Sequence, residues 1–471
     1  MTDPKTISIA GGALAVDDRP PTESLALVIA WCADDARRVG EVAPFPDRGG
    51  PSTLGRGAGD GEPRVRFFRQ RPGRLHPTEP LAGLPLSRRQ LTVTPQGGKL
   101  LVAREGRCEL VVNGAATERC ALVANDTLLL RGQLLLLCVR RVASIPKNMY
   151  FLDERFGAFG DADPLGILGE SPAIWRMREQ IAFAANAGRH VLLHGESGTG
   201  KEVAARAIHA LSIRARAPFI ARNAATLPAG LIDAELFGNA KNYPNPGMNE
   251  RGGLIGQADG GTLFLDEIAE LPVEQQAHLL RVLDADGEHQ RLGEPHSRRS
   301  DFVLVGATNR DVGALKHDLA ARLTLRLELP DLAARREDIP LFVRHLLLLA
   351  AKKSPQIGER FLHEAADGRL EPRVDPALVE ELLVRCYDTH VRELDALLWR
   401  AMAGSPGEVV LLTHDLRKES LGREREPNGE KIRTAIKDAG SVEKAARALG
   451  LKSRYALYRL MKKHGIASDE E

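Results

Sequence analysis

A short apolar run that leads into a glycine-rich loop is the feature that most limits how this chain folds. The residues from His190 to Glu202 read HVLLHGESGTGKE, in which a strand pattern ends near Gly195 and a helical pattern begins near Lys201. Glycines in such a loop let backbone N–H groups curl around phosphate oxygens, and the following helix adds its partial positive charge. Lys201 supplies a point charge for the terminal phosphates. The unit predicts a nucleotide site in an α/β domain; a glycine-rich turn without a ligand is the alternative.

A second segment supplies acids to the same site. The run GGTLFLDE starts at Gly260 and is an apolar strand pattern that ends in Asp266 and Glu267. Asp266 is expected to hold Mg²⁺, directly or through water, and Glu267 to act as a base toward the attacking water. The residues before the two acids are too apolar for an exposed strand end, which favours this interpretation over a pair of solvated acids.

Strand and helix patterns divide the 471 residues into regions of different fold class. Short apolar runs separated by Gly, Pro and Asp predict an all-β sandwich, and alternating strand and helix patterns predict a parallel sheet with helices on both faces. Helical patterns follow that region and return near the C-terminus. The predicted divisions are a flexible tail at 1–22, a β-sandwich at 23–145, a linker at 146–163, an α/β core at 164–330, an all-helical region at 331–403, a linker at 404–428 and a small all-α domain at 429–467.

Charge is distributed unevenly along the chain, although the net charge is only +2. Residues 431–466 carry ten basic and two acidic side chains, and this asymmetry points to nucleic acid. Apolar positions at helical spacing on both sides of Gly450 give the segment the form of a helix–turn–helix. A solvated basic helix face is the alternative.

Other sequence features exclude whole classes of protein. The sequence contains no run of eighteen apolar residues, the length that a membrane span requires, and the first residues lack the basic and apolar regions of a secretory signal. The five cysteines are scattered without a Cys-x-x-Cys pair, so neither a disulfide framework nor a metal cluster is expected. Free thiols in a reducing environment are the simplest interpretation, and the cytoplasm is the expected location.

The motifs GESGTGKE, GGTLFLDEI and VGATNRD resemble the nucleotide-site motifs of the sigma-54 activator branch of the AAA+ ATPases, over about residues 164–400. The resemblance implies a helical lid at 331–403 and a ring, usually a hexamer, with ATP bound between neighbouring subunits. It also implies that Asn309 senses the γ-phosphate and that Arg392 is a second sensor in the lid. The nucleotide contacts that the resemblance implies are Gly195, Glu196, Ser197, Gly198, Thr199, Gly200, Lys201, Glu202, Asn309 and Arg392.

Other positions match the family singly or in part. Asn223, in FIARNAATL, matches the residue that pairs with the catalytic acid and holds it off until ATP is properly bound. Arg322, in LKHDLAARLTLRL, matches one of two ring-completing arginines that act on a neighbour's nucleotide. Lys316 occupies the other arginine position and offers a point charge instead of a planar fork, so slower hydrolysis is implied.

The Gly-Ala-Phe-Thr-Gly-Ala loop with which the family grips sigma-54 is absent. Residues 243–248 read YPNPGM in its place, and their two prolines stiffen the tip and remove two backbone donors. A contact loop that uses Tyr243 and Met248 as apolar anchors and a turn without a partner are equal alternatives, so binding of sigma-54 RNA polymerase stays open. The family's Trp-Pro-Gly-Asn in the lid is also replaced, by YDTH at 387–390.

The β-rich front resembles a forkhead-associated domain, a reader of phosphothreonine. The segments that match in the family's order are Gly55-Arg56, Leu86-Ser87-Arg88 and Val112-Asn113-Gly114. The resemblance implies that Arg56, Ser87 and Arg88 together hold the phosphate of a partner protein. Gln90 replaces the family's structural histidine, and the family's first Asn-Gly is absent at 108–109. A sandwich that docks on the ring and reads no phosphate is the alternative.

The C-terminal segment resembles the Fis-type DNA-binding domain that ends most sigma-54 activators. The resemblance implies a recognition helix from about Lys452 to Lys463. Side chains at the start of that helix usually meet base edges, and later basic side chains meet phosphates. The DNA contacts expected are Lys452, Ser453, Arg454, Tyr455, Arg459 and Lys462.

Together these features predict an ATP-hydrolysing transcription regulator that uses ATP and Mg²⁺, binds DNA upstream of promoters and assembles as a homo-oligomeric ring under control of the front domain. The alternative is a DNA-binding adaptor that does not engage sigma-54. In that case ATP would set only the oligomeric state.

Overall fold

The computed structural model contains the β-rich N-terminal region and the central α/β domain expected from the sequence. It describes residues 23–466 apart from 59–60, 244, 285–286, 366, 423–428, 440, 450, 452–453 and 464–465, and does not describe 1–22 and 467–471. Within these described ranges, none of the helices combines the length and the apolar character that crossing a bilayer requires.

Two antiparallel sheets packed face to face form the N-terminal sandwich. The larger sheet has the order β5-β4-β2-β1-β12-β11-β8-β9, and the smaller has the order β10-β7-β6-β3. In β6 the side chains alternate so that Leu91 and Val93 point into the core between the sheets. The strands are β1 (Glu23–Cys32), β2 (Val42–Phe45), β3 (Ser52–Leu54), β4 (Phe68–Arg71), β5 (Arg74–Pro77), β6 (Leu91–Gln96), β7 (Lys99–Arg104), β8 (Leu110–Val112), β9 (Ala115–Ala116), β10 (Arg119–Leu122), β11 (Thr127–Leu130) and β12 (Leu134–Val142).

The central domain is a parallel sheet of order β14-β15-β18-β13-β19 with helices around it. Its inner strands β15 and β18 are apolar and buried, as strands covered on both faces must be. A small antiparallel hairpin, β16–β17, lies between α5 and β18. The elements are α1 (Pro172–Ala187), β13 (Val191–His194), α2 (Lys201–Leu211), β14 (Phe219–Asn223), α3 (Ile232–Phe237), α4 (Gly253–Gln257), β15 (Thr262–Asp266), α5 (Val273–Asp284), β16 (Glu288–Gln290), β17 (Ser297–Arg299), β18 (Val303–Thr308), α6 (His317–Arg322) and β19 (Leu325–Glu328).

The prediction that the region after the sheet is all-helical is wrong in one element, because the region also contains a β-hairpin. This hairpin is β20–β21, and Gly368 lies in its turn with φ +79°. Strands of three residues are too short to show the alternation that distinguishes a strand from a helix. The elements are α7 (Ile339–Lys353), α8 (Pro355–Phe361), β20 (Leu362–Glu364), β21 (Leu370–Pro372), α9 (Pro376–Val384) and α10 (His390–Gly404).

The C-terminal end of the described chain is helical. Ile432, Ala445, Leu457 and Met461 are buried in a small core shared by the last three helices. Ser441 caps the middle one, because its hydroxyl accepts a hydrogen bond from the backbone N–H of Lys444. The helices are α11 (His414–Gly422), α12 (Gly429–Ala439), α13 (Val442–Ala448) and α14 (Arg454–Lys463).

The outer face of the larger sandwich sheet packs against the lid helices. Leu136 of β12 points into the sandwich, whereas its neighbours Leu135 and Leu137 belong to a core that continues into α7, α9 and α10. Trp31 of β1 donates from its indole nitrogen to the carbonyl oxygen of Val374, 3.0 Å away. Because β1 and β12 are covered on both faces, they read as continuous apolar runs. Sandwich and lid therefore share one core.

We expect Leu137→Ala to lower the free energy of unfolding by about 2–5 kcal/mol, the usual cost of a leucine-to-alanine cavity in a core. Leu137 is 1% exposed, and Leu136 on the opposite face is 0% exposed, so Leu136→Ala is a matched control. Denaturant unfolding of the whole chain should give similar losses for both variants. A loss below about 1 kcal/mol for Leu137→Ala alone would argue against the shared core.

Candidate nucleotide site

The phosphate loop connects the end of β13 to the start of α2, as the sequence predicts. Gly198 and Gly200 have φ angles of +83° and +103°, a region that favours glycine. A Cβ atom on Gly198 would lie 2.1 Å from the carbonyl oxygen of Thr389 in the lid. Glycine at 198 is therefore required both by the backbone conformation and by the close approach of the lid.

Lys201 is the first residue of α2, and it is 7% exposed. Its Nζ donates to the carbonyl oxygens of Gly195 at 2.8 Å and Glu196 at 3.3 Å, so the loop curls around the ammonium group. Glu267 Oε1 lies 3.8 Å away. The charge of Lys201 thus lies at the centre of the loop, where the phosphates of a nucleotide would lie.

The two acids lie at the carboxyl end of β15, beside the phosphate loop. The side chain of Asp266 accepts a hydrogen bond from the backbone N–H of Glu267 at 3.0 Å. Glu267 has a φ of +51°, unusual for a residue with a side chain, and such strained residues are concentrated at functional sites. The backbone N–H of Asn309 donates to Glu267 Oε2 at 3.3 Å, which brings the expected sensor next to the expected base.

Asn223 lies at the end of β14, directly opposite Asp266 in the parallel pairing. Its side-chain oxygen accepts a hydrogen bond from the N–H of Ala225 at 2.9 Å and so caps a short turn. Asn223 also lines the same cavity as Glu267. The pairing between Asn223 and the catalytic acid remains a prediction.

The lid closes the site from the other side. Arg392, on α10, donates from Nη1 to the hydroxyl of Ser197 in the phosphate loop at 2.9 Å. His390 Nε2 lies 2.9 Å from Glu196 Oε2 and makes a second contact between the lid and the loop. Two side chains of one helix therefore hold the loop against the lid.

A cavity of about 430 Å³ lies between the loop, the acids and the lid. Its lining combines polar side chains, among them Lys201, Asp266 and Glu267, with apolar ones. This size and mixed lining are typical of small-molecule sites. The apolar lining residues include Ile167, Leu168, Met177, Phe342, Leu346 and Val391.

Sequence reasoning missed two residues next to this cavity. Arg335 is 4% exposed, and its Nη2 donates to the carbonyl oxygen of Thr199 in the loop at 3.3 Å. His390 is buried with φ +47°, and burial lowers the pKa of its imidazole. The sequence contained one signal for His390, since it stands where the family has Asn, a residue that adopts positive φ more readily. Arg335 begins the charged run RRED at 335–338, which gives no sign of burial.

Arg322 and Lys316 lie away from this cavity. Arg322 ends α6, is exposed, and forms an ion pair with Asp284. Lys316 precedes the same helix, and its backbone N–H donates to Gln276. Glu202 is exposed and pairs with Arg206 one turn further along α2, and it also belongs to the lining of the cavity, so its contact with the nucleotide stays a prediction.

In the sandwich, the residues expected to hold a phosphate are neighbours. The backbone N–H of Arg56 donates to the carbonyl oxygen of Ser87 at 3.0 Å, and Arg88 is exposed next to it. The amide oxygen of Gln90 accepts from the N–H of Ser87 and of Cys108, both at 3.3 Å. Gln90 is fully buried. It connects the segment that contains Ser87 to the segment that contains Cys108, and it stands where the family has its structural histidine.

The loop that replaces the sigma-54 contact is held against the β16–β17 hairpin. Asn239 is 1% exposed and donates from its side-chain amide to three loop carbonyls, those of Ala240, Tyr243 and Asn249. A Cβ atom at Gly293 in the hairpin would lie 2.4 Å from the ring of Tyr243. Tyr243 therefore packs on the hairpin, and Met248 closes the loop by accepting a hydrogen bond from the N–H of Asn242.

The expected DNA contacts are covered only in part. Arg454 is exposed at the first position of α14. Lys452 and Ser453 lie outside the described residues. Backbone positions place Tyr455, Arg459 and Lys462 on α14, and their side chains lie outside the described part of the structure.

Residues 167–332 match the family described as the sigma-54 interaction domain. The DNA-binding transcriptional regulator NtrC of Escherichia coli (strain K12) is 41% identical over 227 residues, which cover 47% of this chain and 48% of NtrC. The Transcriptional regulatory protein ZraR of Salmonella typhimurium is 35% identical over 321 residues, or 64% of this chain and 69% of ZraR. A crystal structure of NtrX from Brucella abortus with ATP has 29% identity and a TM-score of 0.46, and covers 66% of this chain and 70% of NtrX.

The chain spans about half the length of the NtrC relatives that it matches. The match to ZraR extends over more than two thirds of that protein. The sigma-54 interaction domain spans the phosphate loop, both acids and Asn309. This chain therefore belongs to the sigma-54 activator family of transcriptional regulators.

Proposed function

We propose that the protein is an ATP-hydrolysing transcription regulator that binds DNA. The observation that carries the proposal is the convergence of Lys201, Asp266 and Glu267 on one cavity, which Arg392 closes from the lid. Lys201 Nζ is held mainly by backbone carbonyls, so its positive charge remains to attract phosphate. The apolar lining residues of the cavity suit a base, and the polar ones suit a triphosphate.

The two acids, Asp266 and Glu267, would have different roles in hydrolysis. Asp266 lines the cavity with a carboxylate, the type of ligand that Mg²⁺ prefers, and the ion would neutralise charge on the phosphates. Glu267, oriented by the N–H of Asn309, would accept a proton from the attacking water. Arg322 is exposed outside the lining of its own cavity, so its expected role requires a neighbouring subunit in a ring.

We expect Lys201→Ala to abolish ATP binding and Glu267→Gln to preserve it, because the lysine is expected to contact the phosphates and the glutamate is expected to contact the attacking water. Glu267→Gln should lower turnover by about 10²–10⁴-fold, the usual contribution of a general base. Nucleotide binding would be followed with a fluorescent ATP analogue, and turnover by phosphate release. Glu270→Gln, three residues along and paired with Arg310, is the matched control and should hydrolyse ATP normally. Unchanged binding in Lys201→Ala would contradict the assignment.

DNA binding is supported by the three-helix C-terminal unit and its charge. The segment 431–466 carries ten basic and two acidic side chains, and the exposed Arg454 begins its last helix. Oligomerisation through the ATPase domain would add avidity to a weakly binding single copy. We propose that α14 is the recognition helix and that DNA upstream of promoters is the partner.

For the sandwich we propose recognition of a phosphothreonine-containing protein. The support is the adjacency of Arg56, Ser87 and Arg88 at one end of the sheets, together with Gln90 in the structural position of the family's histidine. Two guanidinium groups and a hydroxyl are a suitable donor set for a phosphate. If no phosphopeptide binds, the sandwich acts through its contact with the lid alone.

Engagement of sigma-54 has one observation against it and one for it. The domain family is that of sigma-54 interaction, which favours the activator function. The loop at 239–251 is pinned by Asn239 and packs on the hairpin through Tyr243, which favours an adaptor whose loop does not extend toward a partner. We propose the activator function and keep the adaptor as the second candidate.

We expect a complex between this protein and purified sigma-54 in the presence of ADP and aluminium fluoride, a mimic of the transferring phosphoryl group. Native gel electrophoresis would detect the complex, with an established sigma-54 activator as the positive control. Tyr243→Ala should abolish the complex because Tyr243 is a partly exposed apolar anchor of the proposed contact loop, whereas replacement of the exposed Ile213, which lies outside the loop at 239–251, by Ala should not. Absence of a complex with a working control would favour the adaptor.

A further inference from the structure

The turn at residues 335–338 joins the α/β core to the lid, and its side chains reach three different parts of the molecule. Arg335 contacts the phosphate loop through Thr199 O. Glu337 forms an ion pair with Arg141 of the sandwich at 2.6 Å. Asp338 accepts hydrogen bonds from Ser171, the residue that caps α1. One short segment therefore contacts the phosphate loop, the sandwich and the start of α1 in the α/β core.

Arg335 is a buried cation with few partners. Its guanidinium lies over the ring of Phe342, 5.0 Å from the centroid, and both residues line the nucleotide cavity. Its Nε is buried and has no hydrogen-bond partner among the residues that the structure describes, and burial lowers the pKa of the guanidinium. Burying a guanidinium with an unused donor costs free energy. The position of Arg335 therefore depends on the contacts that hold the surrounding turn in place.

Arg141 attaches the sandwich firmly to that turn. Besides its ion pair with Glu337, it donates to Gln70 Oε1 at 2.5 Å within the sandwich and to the carbonyl oxygen of Glu170 at 2.8 Å. Only 3% of the Arg141 side chain and 11% of the Glu337 side chain are exposed. The guanidinium therefore connects sandwich, turn and core at one point with little access to water.

The apolar core shared by the sandwich and the lid makes this connection stiff. Ile339 and Leu341, which follow the turn directly in α7, are buried in the same core as Leu137 of β12. A packed core transmits a displacement rather than absorbing it. A shift of the sandwich must then move the turn, and with it Arg335.

We propose that Arg335 is a positioning residue for the phosphate loop and that the sandwich sets its position through the Arg141–Glu337 ion pair. The proposal rests on the proposed nucleotide function of this site. It gives the N-terminal region a direct route to nucleotide affinity, whether its signal is a phosphopeptide or another partner. Arg335 holds the carbonyl of Thr199, so loss of the donor releases the loop that surrounds Lys201.

The test is a set of variants of the whole chain measured with a fluorescent ATP analogue. We expect Arg335→Met to weaken binding about tenfold and Glu337→Gln about fivefold, within the usual range of coupling between sites. Arg335→Lys should weaken binding less than Arg335→Met, because it keeps a donor. In the double variant the Glu337→Gln effect should disappear, because both substitutions act through the same contact.

The control is Glu381→Gln, which breaks a lid ion pair of similar burial. Arg385 and Glu381 are 3% and 14% exposed, and neither belongs to the lining of the nucleotide cavity. Both glutamine variants should lower the thermal midpoint similarly, but only Glu337→Gln should change nucleotide affinity. Equal affinities for the two would overturn the inference, and so would additive effects in the double variant. Failure of the unaltered protein to bind nucleotide, or binding that Lys201→Ala leaves unchanged, would instead refute the proposed function.

Discussion

Parallel pairing of the central strands is the constraint on which the rest of the molecule depends. Because β13, β15 and β18 run the same way, their carboxyl ends meet at one edge, and there the phosphate loop, Glu267 and Asn309 follow them. A sheet of mixed direction would place these segments at opposite edges. The lid can then complete the site with one helix, through Arg392 and the close approach at Gly198.

Sequence patterns predicted the parts of the fold whose burial is complete. The apolar runs at β15 and β18 are covered on both faces, so their sequences predict strands, whereas the sequences of β14 and β19 at the sheet edges do not. Edge strands tolerate charged residues such as Arg222 and Arg326, which interrupt the apolar run by which a buried strand is predicted. In the lid, a three-residue pairing is stabilised by tertiary contacts, and local sequence gives no period from which to predict it.

The same distinction applies to the site. Lys201, Asp266 and Glu267 are tied to short motifs whose chemistry can be read from residue order, and the structure brings them together. Arg335 acts through a backbone carbonyl more than a hundred residues away, a contact that no local pattern encodes. The continuous core between sandwich and lid was also invisible in the sequence. The apolar runs of β1 and β12 predict strands, but nothing in the sequence indicates that the lid covers their second face.

Two of the departures from the family lie in the central domain and its lid, one at the phosphate loop and one at the loop that replaces the sigma-54 contact. His390 stands at a positive φ where the family has asparagine, and its ring contacts Glu196. An asparagine side chain at this position would be too short to reach as far as the imidazole Nε2. Asn239 and Tyr243 fix a loop that the family uses as a moving grip. Both changes add contacts rather than remove them. Where the lid and the loop are both fixed in this way, the turn that connects the phosphate loop rigidly to the sandwich is the place through which we propose that nucleotide affinity is set.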